Sequence, residues 1–324
     1  MTHLVSRFRR ATVLVAGDLM LDEYLFGTVS RVSPEAPVPV LDVKRRRCVP
    51  GGAANVAANV HSLGATVRLT GVCGTDTAGD TLCRILTEAN IGDEFVMRVD
   101  GRVTTSKTRV VAGQQQIVRF DHEERAALNG AVAGVFEANL GKGLDGAGVC
   151  IVSDYGKGLL STAVCAQLLE RAIAKRIPVI VDPKGLDYSK YRGCSLITPN
   201  LKEAGEAAGI AVECEHDLYE AGKRILALLP GAAVLVTRGG DGMTLFREGE
   251  APLTIDTVAQ EVFDVVGAGD TVVAALGVAL AAGLPLETAT RLANVAAGIA
   301  VGKHGTVAVT ADELFSHSEV ALLN

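Results

Sequence analysis

The chain has 324 residues, 48% of them hydrophobic, with 36 glycines, no Trp and a formal net charge of −6. That length allows about three quarters of the unfolded surface to be buried, and the composition excludes a fibrous or disordered chain. Net negative charge gives no general attraction to nucleic acid or anionic membrane, so any anionic ligand needs a local site.

The β-branched run 12–16 predicts a buried strand. It ends in Gly17-Asp18-Leu19-Met20-Leu21-Asp22. Asp18 and Asp22 therefore stand just past the strand's C-terminal end, where open α/β sheets bind ligands; surface carboxylates in a turn are the plainer alternative. From 24 to 47 the character changes. Ser33-Pro34-Glu35-Ala36-Pro37-Val38-Pro39 is a Pro-rich turn, and 38–43 alternates toward Lys44-Arg45-Arg46-Arg47, which reads as a small β excursion. A helix then opens at Pro50-Gly51-Gly52-Ala53-Ala54-Asn55. Gly51 and Gly52 let another group approach the backbone, and Asn55 offers a donor and an acceptor to a hydroxylated ligand. Helix packing would explain the small residues equally well, but not Asn55 and Asn59.

Next come a strand at 66–72, a helix at 77–89, a short strand at 95–99, and a hairpin of 104–111 with 115–120 turning through Ala112-Gly113-Gln114. This second β excursion carries Lys107, Arg109 and Arg119. Helix 126–140, strand 148–153, helix 160–174, strands 178–182 and 194–198, helices 201–208 and 216–229 and strand 232–237 follow in the doubly wound manner. Strands at 243–247 and 252–256 precede a last strand pattern ending at Phe263, and helices at 269–282 and 286–301 close the fold. No repeat recurs and no linker divides the chain. One domain over 1–324 is expected, with excursions 20–47 and 95–121 pairing as a small sheet.

Seven scattered Cys (48, 73, 83, 150, 165, 194, 214), without a C-x-x-C pair, read as small core residues of a reducing compartment rather than a metal or disulfide framework. The apolar run after the basic start is too short for a signal sequence. The longest apolar run, 272–286, is interrupted by Gly277, Gly283 and Pro285 and is too short for a membrane span. A cytoplasmic protein with no membrane partner is expected.

The stretch Asp264-Val265-Val266-Gly267-Ala268-Gly269-Asp270-Thr271 organises these elements. Its small residues leave backbone N–H groups open at a helix N-terminus, where the macrodipole favours an anion. Asp270 stands at the mouth of that anion site. Helix capping is one reading; a base beside a transferring phosphoryl group is the other. Each Gly-Lys pair lacks the following Ser or Thr of a Walker loop, and Gly141-Lys142-Gly143-Leu144-Asp145-Gly146 follows a helix, the reverse of the dinucleotide context. Four further loops end strands at the same sheet edge, at 153–158, 182–185, 198–203 and 237–242. A ligand cleft along that edge is expected.

Gly51-Gly52 with Asn55, Asn200-x-x-Glu203 and Asp264-x-x-Gly267-Ala268-Gly269-Asp270, in this order, resemble the PfkB/ribokinase family of sugar kinases over essentially the whole chain. The resemblance implies a ribokinase-like three-layer α/β/α fold, with a mostly parallel sheet and a small β-sheet lid. Gly17 to Asp22, Arg31 to Pro39, Gly51 to Ala57 and Ser153-Asp154-Tyr155-Gly156-Lys157-Gly158 carry a likeness to the D-glycero-β-D-manno-heptose 7-phosphate kinases of ADP-heptose and lipopolysaccharide core synthesis. Some of those are fused to a nucleotidyltransferase; a chain ending at Asn324 resembles the stand-alone kinase.

By that resemblance Asp270 is the base, and the amides of Gly267, Ala268 and Gly269 receive charge on the transferring group. Asp18, Asp22, Gly51, Gly52 and Asn55 hold sugar hydroxyls. Thr237, Gly239 and Gly242 line ATP, with Asn294 and the turn Gly302-Lys303-His304-Gly305 around the adenine. Asn200 and Glu203 stand near Mg²⁺, through water. Asp264 marks a K⁺ site that Val265-Val266, where many members carry a Thr, makes less clear. Lys157, Lys184, Arg109 and Arg119 are the candidate clamp for a phosphorylated acceptor, and the lid implies a homodimer. The rival readings are a kinase of another acceptor such as ribose, fructose 1-phosphate or a nucleoside, a non-catalytic sugar-binding protein, and a nicotinamide-dependent dehydrogenase.

Overall fold

The computed structural model describes residues 2–320 other than 114, 260, 261, 304, 306, 318 and 319. Helix α1 (Thr2–Arg10) leads into β1 (Thr12–Gly17). The chain then leaves in a long hairpin, β2 (Leu19–Val32) and β3 (Pro39–Gly52), and returns through α2 (Ala53–Ser62) to β4 (Thr66–Gly74), α3 (Thr77–Glu88) and β5 (Gly92–Val99). A second hairpin, β6 (Thr105–Ala112) and β7 (Gln115–His122), precedes α4 (Gly130–Leu144), β8 (Val149–Ser153), α5 (Thr162–Ala174) and β9 (Val179–Asp182). Then follow β10 (Leu196–Ile197), α6 (Leu201–Ala208), α7 (Glu215–Leu228), β11 (Ala233–Thr237), β12 (Met243–Phe246) and β13 (Leu253–Ile255). Helices α8 (Ala268–Ala281), α9 (Leu286–Val301) and α10 (Ala311–Ser316) complete the order.

The large sheet has nine strands in the order β13-β12-β11-β10-β9-β8-β1-β4-β5, parallel except for β12 and β13 at one edge. Strand β1 lies between β8 and β4, so the chain builds one wing through β4 and later starts the other at β8. The crevice at such a switch, beyond the C-terminal strand ends, is where doubly wound sheets bind ligands. Period-2 alternation covers both faces. Val13, Val15, Val149 and Ile151 join the core with α2, α8 and α9, whereas Leu14, Ala16, Cys150 and Val152 join that of α4, α5 and α7. A Cβ on Gly277 would run into the Ile151 side chain, so α8 sits closer to the sheet than a larger residue allows. Among the described residues no helix is long and apolar enough to cross a membrane.

The two β excursions pair as one small sheet, in the order β3-β2-β6-β7, but with other bounds than the sequence suggests. Residues 92–99 belong to the edge of the large sheet, with Thr70 opposite Phe95, so the second lid segment begins at Thr105 rather than at 95. The first extends past 47, because Pro50, Gly51 and Gly52 pair with Leu21, Met20 and Leu19; the helix begins only at Ala53. The apolar residues before Asp264 form no strand. The amides of Phe263 and Asp264 instead donate to the Val301 carbonyl at the end of α9. Asn129 caps α4 through Val132 N–H, which delays that helix from 126 to Gly130. The strand read at 194–198 keeps only two ladder residues, and α1 and α10 went unread. Gln114 of the hairpin turn lies outside the described residues.

Candidate active site

Gly267 enters α8 at φ 82°, a left-handed conformation that a side chain would strain. Asp264 Oδ1 accepts the Val266 N–H at 2.9 Å and closes the turn before it. Asp270 is then the third residue of α8, where the helix dipole favours a negative charge. A Cβ built on Gly269 meets nothing within 4 Å, so the open face of this helix start is free for a ligand.

Asp270 is only 6% exposed. Its Oδ2 accepts from Asn55 Nδ2 at 2.6 Å and its Oδ1 from the Tyr155 hydroxyl at 2.7 Å. Burial pushes the carboxyl up to about 6, against the pull of these two donors on the ionised form. Burial also raises the Tyr155 phenol well above its ordinary value, which keeps it a donor. Asn59 extends the network: Nδ2 donates to the Asn55 carbonyl at 3.0 Å, and Oδ1 accepts from Thr271 Oγ1 at 3.1 Å. The helix carrying the carboxylate and the helix after the lid are thereby joined by polar contacts inside the core. In the Tyr155→Phe variant the Asp270 carboxyl should titrate about one pH unit higher, because a bond to the ionised form is lost. Carbon-13 NMR of labelled Asp would read the change, and an unmoved titration would contradict the assignment.

The loop bearing Tyr155 is pinned by buried carboxylates. Asp18 Oδ2 accepts the backbone N–H of Tyr155 at 2.9 Å and of Lys157 at 3.1 Å. Asp154 Oδ1 accepts from Gly156 N–H at 2.7 Å, and its Oδ2 from the Tyr191 hydroxyl at 2.7 Å and Lys190 Nζ at 2.6 Å. The close approach permitted by Gly51 and Gly52 is used by the chain itself. A Cβ on Gly51 would meet the Asp22 carboxylate, and one on Gly52, at φ 56°, the Asp18 carbonyl. Asp18, Asp22, Gly51, Gly52, Asn55 and Asp270 thus stand together on the lid side of the crevice.

A cavity of about 450 Å³ lies on the other side of α8's start. Asn200, Thr237, Gly239, Gly242 and Asn294 line it together with Ala268 and Gly269, and Val262, Val265 and Val301 give it apolar walls. Asn294 Nδ2 holds the Asp256 carbonyl at 2.8 Å. This combination of an apolar slot with open amides at one end fits a base and its phosphates. Gly305 falls elsewhere, on a second cavity under the lid, and His304 lies outside the described residues.

Asn200 and Glu203 form a reciprocal capping box on α6: Asn200 Oδ1 accepts Glu203 N–H at 2.9 Å, and Glu203 Oε2 accepts Asn200 N–H at 3.1 Å. The N-x-x-E spacing is that box's own signature, a reading the sequence allowed. Lys184 Nζ neutralises Glu203 at 2.9 Å. Among the described residues no three His, Cys, Asp or Glu gather as a metal set. A cation carried on phosphate oxygens and water suits this arrangement.

The four candidate clamp cations do not converge. Lys157 is paired with Glu123, Lys184 with Glu203, and the exposed Arg119 with Asp121. Only Arg109 reaches the cavity under the lid, where Asp22 Oδ1 holds it at 2.5 Å. Sequence reasoning missed the Tyr155 hydroxyl, whose loop it had placed at the right edge without a direction for the ring. Asp182, in the 182–185 loop at the end of β9, has its carboxyl raised by burial and by the neighbouring Asp270.

A model of the pfkB family of carbohydrate kinases matches residues 11–313. The chain is 48% identical over 310 residues to the Bifunctional protein HldE of Pseudomonas aeruginosa (strain LESB58), covering 96% of this chain and 64% of that protein. It is 47% identical over 317 residues to the protein of the same name from Caulobacter vibrioides, covering 97% and 65%. The chain therefore spans slightly less than two thirds of these relatives' length. Among solved structures, Escherichia coli phosphofructokinase-2 in complex with potassium superposes with a TM-score of 0.79 at 23% identity, over 97% of this chain and 99% of that one. Arabidopsis thaliana ribokinase complexed with ribose and ATP gives 0.74 at 21% identity, over 95% and 98%.

Proposed function

Because the chain belongs to the pfkB family of carbohydrate kinases, we propose that it transfers the γ-phosphoryl group of ATP to the anomeric hydroxyl of D-glycero-D-manno-heptose 7-phosphate, giving the 1,7-bisphosphate for ADP-heptose and lipopolysaccharide core synthesis. The observation that carries the reading is the buried Asp270 carboxylate at the start of α8, with the nucleotide-shaped cavity on one side and Asp18, Asp22 and Asn55 on the other. The heptose is read from the likeness of the 17–22, 31–39, 51–57 and 153–158 segments.

Asp270 takes the proton of the acceptor hydroxyl as that oxygen bonds to the γ-phosphorus and the bond to ADP breaks. An anomeric hydroxyl is more acidic than an ordinary alcohol, so a carboxylate with a pKa of about 6 is a sufficient base. The amides of Gly267, Ala268 and Gly269 receive the charge developing on the phosphoryl oxygens. Asn200 and Glu203 would hold waters of a Mg²⁺ ion, which supplies neutralising charge to the phosphates, and Asp264 marks where K⁺ would lie. Tyr155 and Asn55 hold the Asp270 carboxylate in place as the ionised base. Val118 and Phe120, on the lid face opposite Arg109, are 50% and 53% exposed, which supports pairing of two lids in a homodimer.

An ADP-release assay across acceptors tests this. Turnover on heptose 7-phosphate should exceed that on ribose or fructose 1-phosphate by at least about 100-fold, with kcat/KM falling below about pH 6 as Asp270 protonates. Preference for ribose would refute the substrate assignment.

A further inference from the structure

The cavity under the lid, about 870 Å³, is lined by Tyr24, Phe26, Arg45, Arg47 and Arg109 from the small sheet and by Asp264 and its neighbours from the loop before α8. Strand register explains the grouping. Tyr24 pairs with Arg47 on β3 and with Arg109 on β6, and Phe26 pairs with Arg45, so all five side chains share one face with Asp22. The two rings stack at 5.9 Å between centroids and 9° between planes. Arg45 lies 4.3 Å above the Phe26 ring and Arg109 5.1 Å from that of Tyr24. Each of these two guanidinium planes is thereby supported by a ring, while one Arg109 nitrogen is committed to Asp22.

Charge pairing separates these arginines from the other cations nearby. Arg46, Lys107, Arg119, Lys157 and Lys184 all sit in ion pairs. Arg45 and Arg47 form no ion pair among the described residues, and Arg109 is shared with Asp22. The carboxylate of Asp264 is turned to its own loop through Val266 N–H. A chain of net charge −6 thus places three guanidinium groups in one cavity, two of them without a carboxylate partner among the described residues. That cavity adjoins the Asp22 edge of the acceptor side, and among the described residues it shares only Val262 with the nucleotide cavity.

We propose that Arg45 and Arg47, together with Arg109, clamp the phosphate that the acceptor already carries, apart from the phosphoryl group being transferred. Guanidinium forks presented from one sheet face into one cavity match the oxygens of a phosphate monoester, which accepts paired N–H bonds. The inference rests on the proposed function and names the residues that select a phosphorylated acceptor. It also takes Lys157, Lys184 and Arg119 out of that role, since none of them lines this cavity.

The test is steady-state kinetics of Arg45→Ala, Arg47→Ala and the double variant, both residues being exposed and outside the core. The double variant should raise the KM for heptose 7-phosphate by about 10- to 100-fold, leave the KM for ATP within about twofold, and abolish the preference for that acceptor over unphosphorylated heptose. Arg47→Lys should recover part of the loss, as a point charge without the fork. An unchanged acceptor KM, or a rise in the ATP KM instead, overturns the clamp. Should the parent enzyme not phosphorylate heptose 7-phosphate, the substrate reading fails by itself. The clamp is then judged by equilibrium binding of fructose 6-phosphate, fructose 1-phosphate and ribose 5-phosphate. Binding by the parent that the double variant loses upholds it, and equal binding by both, or none by the parent, overturns it.

Discussion

Asp270→Asn is expected to lower kcat by about 10²–10⁴-fold and, above pH 6, to make the protein more stable. The first effect follows from loss of the proton acceptor at the start of α8. The second follows from linkage. Burial raises the folded-state carboxyl to about 6 from an ordinary 3.8, so the folded protein binds this proton more tightly than the unfolded chain. The favourable contribution of the protonated group is fully present below about pH 4 and is lost as pH rises through 6. At pH 8 the buried charge costs about 3 kcal/mol. A carboxamide removes that cost but offers one acceptor oxygen to two donors, Asn55 Nδ2 and Tyr155 OH, so a net gain of about 1–2 kcal/mol is expected. Thermal unfolding at pH 8 and pH 4 should show the gain at the higher pH alone. A variant with parental kcat would rule Asp270 out as the base, and one destabilised at pH 8 would contradict its buried charge.

Asp18→Ala is expected to damage both the fold and the activity through a single loop. The carboxylate is 3% exposed and receives the backbone N–H groups of Tyr155 and Lys157. Its removal leaves two amides without that acceptor at the C-terminal end of β8, each worth about 1–3 kcal/mol if water cannot replace it. A loss of about 2–4 kcal/mol in urea unfolding is expected, with kcat/KM reduced at least about 100-fold because the Tyr155 hydroxyl is no longer held against Asp270. Asp18→Asn keeps one acceptor oxygen and should recover most of the stability. If urea midpoints were unchanged in the alanine variant, the latch would be discounted, and Asp18 would have to act on the ligand alone.

The elements that read well from the sequence share a physical cause. Strands β1, β8 and β11 are short β-branched runs covered on both faces, and α6 carries its own start signal in Asn200 and Glu203; such local patterns dominate when every neighbour agrees with them. The errors fall where a distant partner decides. Residues 92–94 read as loop but belong to the strand at the sheet edge beside β4. Val262 and Phe263 have strand composition, yet the amide of Phe263 finds its acceptor at the end of α9. Gly51 and Gly52 look like the opening of a helix and are the end of a lid strand, tight against Asp18 and Asp22. The Asn200-x-x-Glu203 spacing contains its capping box in plain view, because that interaction spans three residues.

What the sequence alone determined was the open helix start at Gly267-Ala268-Gly269, with Asp270 beside it, and the row of loops at one sheet edge. Both depend on neighbours in the chain: φ above zero at Gly267, small side chains over the amides, strand ends followed by polar residues. Tertiary structure decided everything that needs two distant segments. It brought Asn55 and Tyr155 onto the two oxygens of Asp270 across 215 and 115 residues of chain, and that burial, rather than residue type, moves the carboxyl toward 6. It also paired Lys157, Lys184 and Arg119 with carboxylates while leaving Arg45 and Arg47, under the lid, without an ion pair among the described residues. A cation's availability depends on which acid folds beside it, and no spacing in the sequence carries that information.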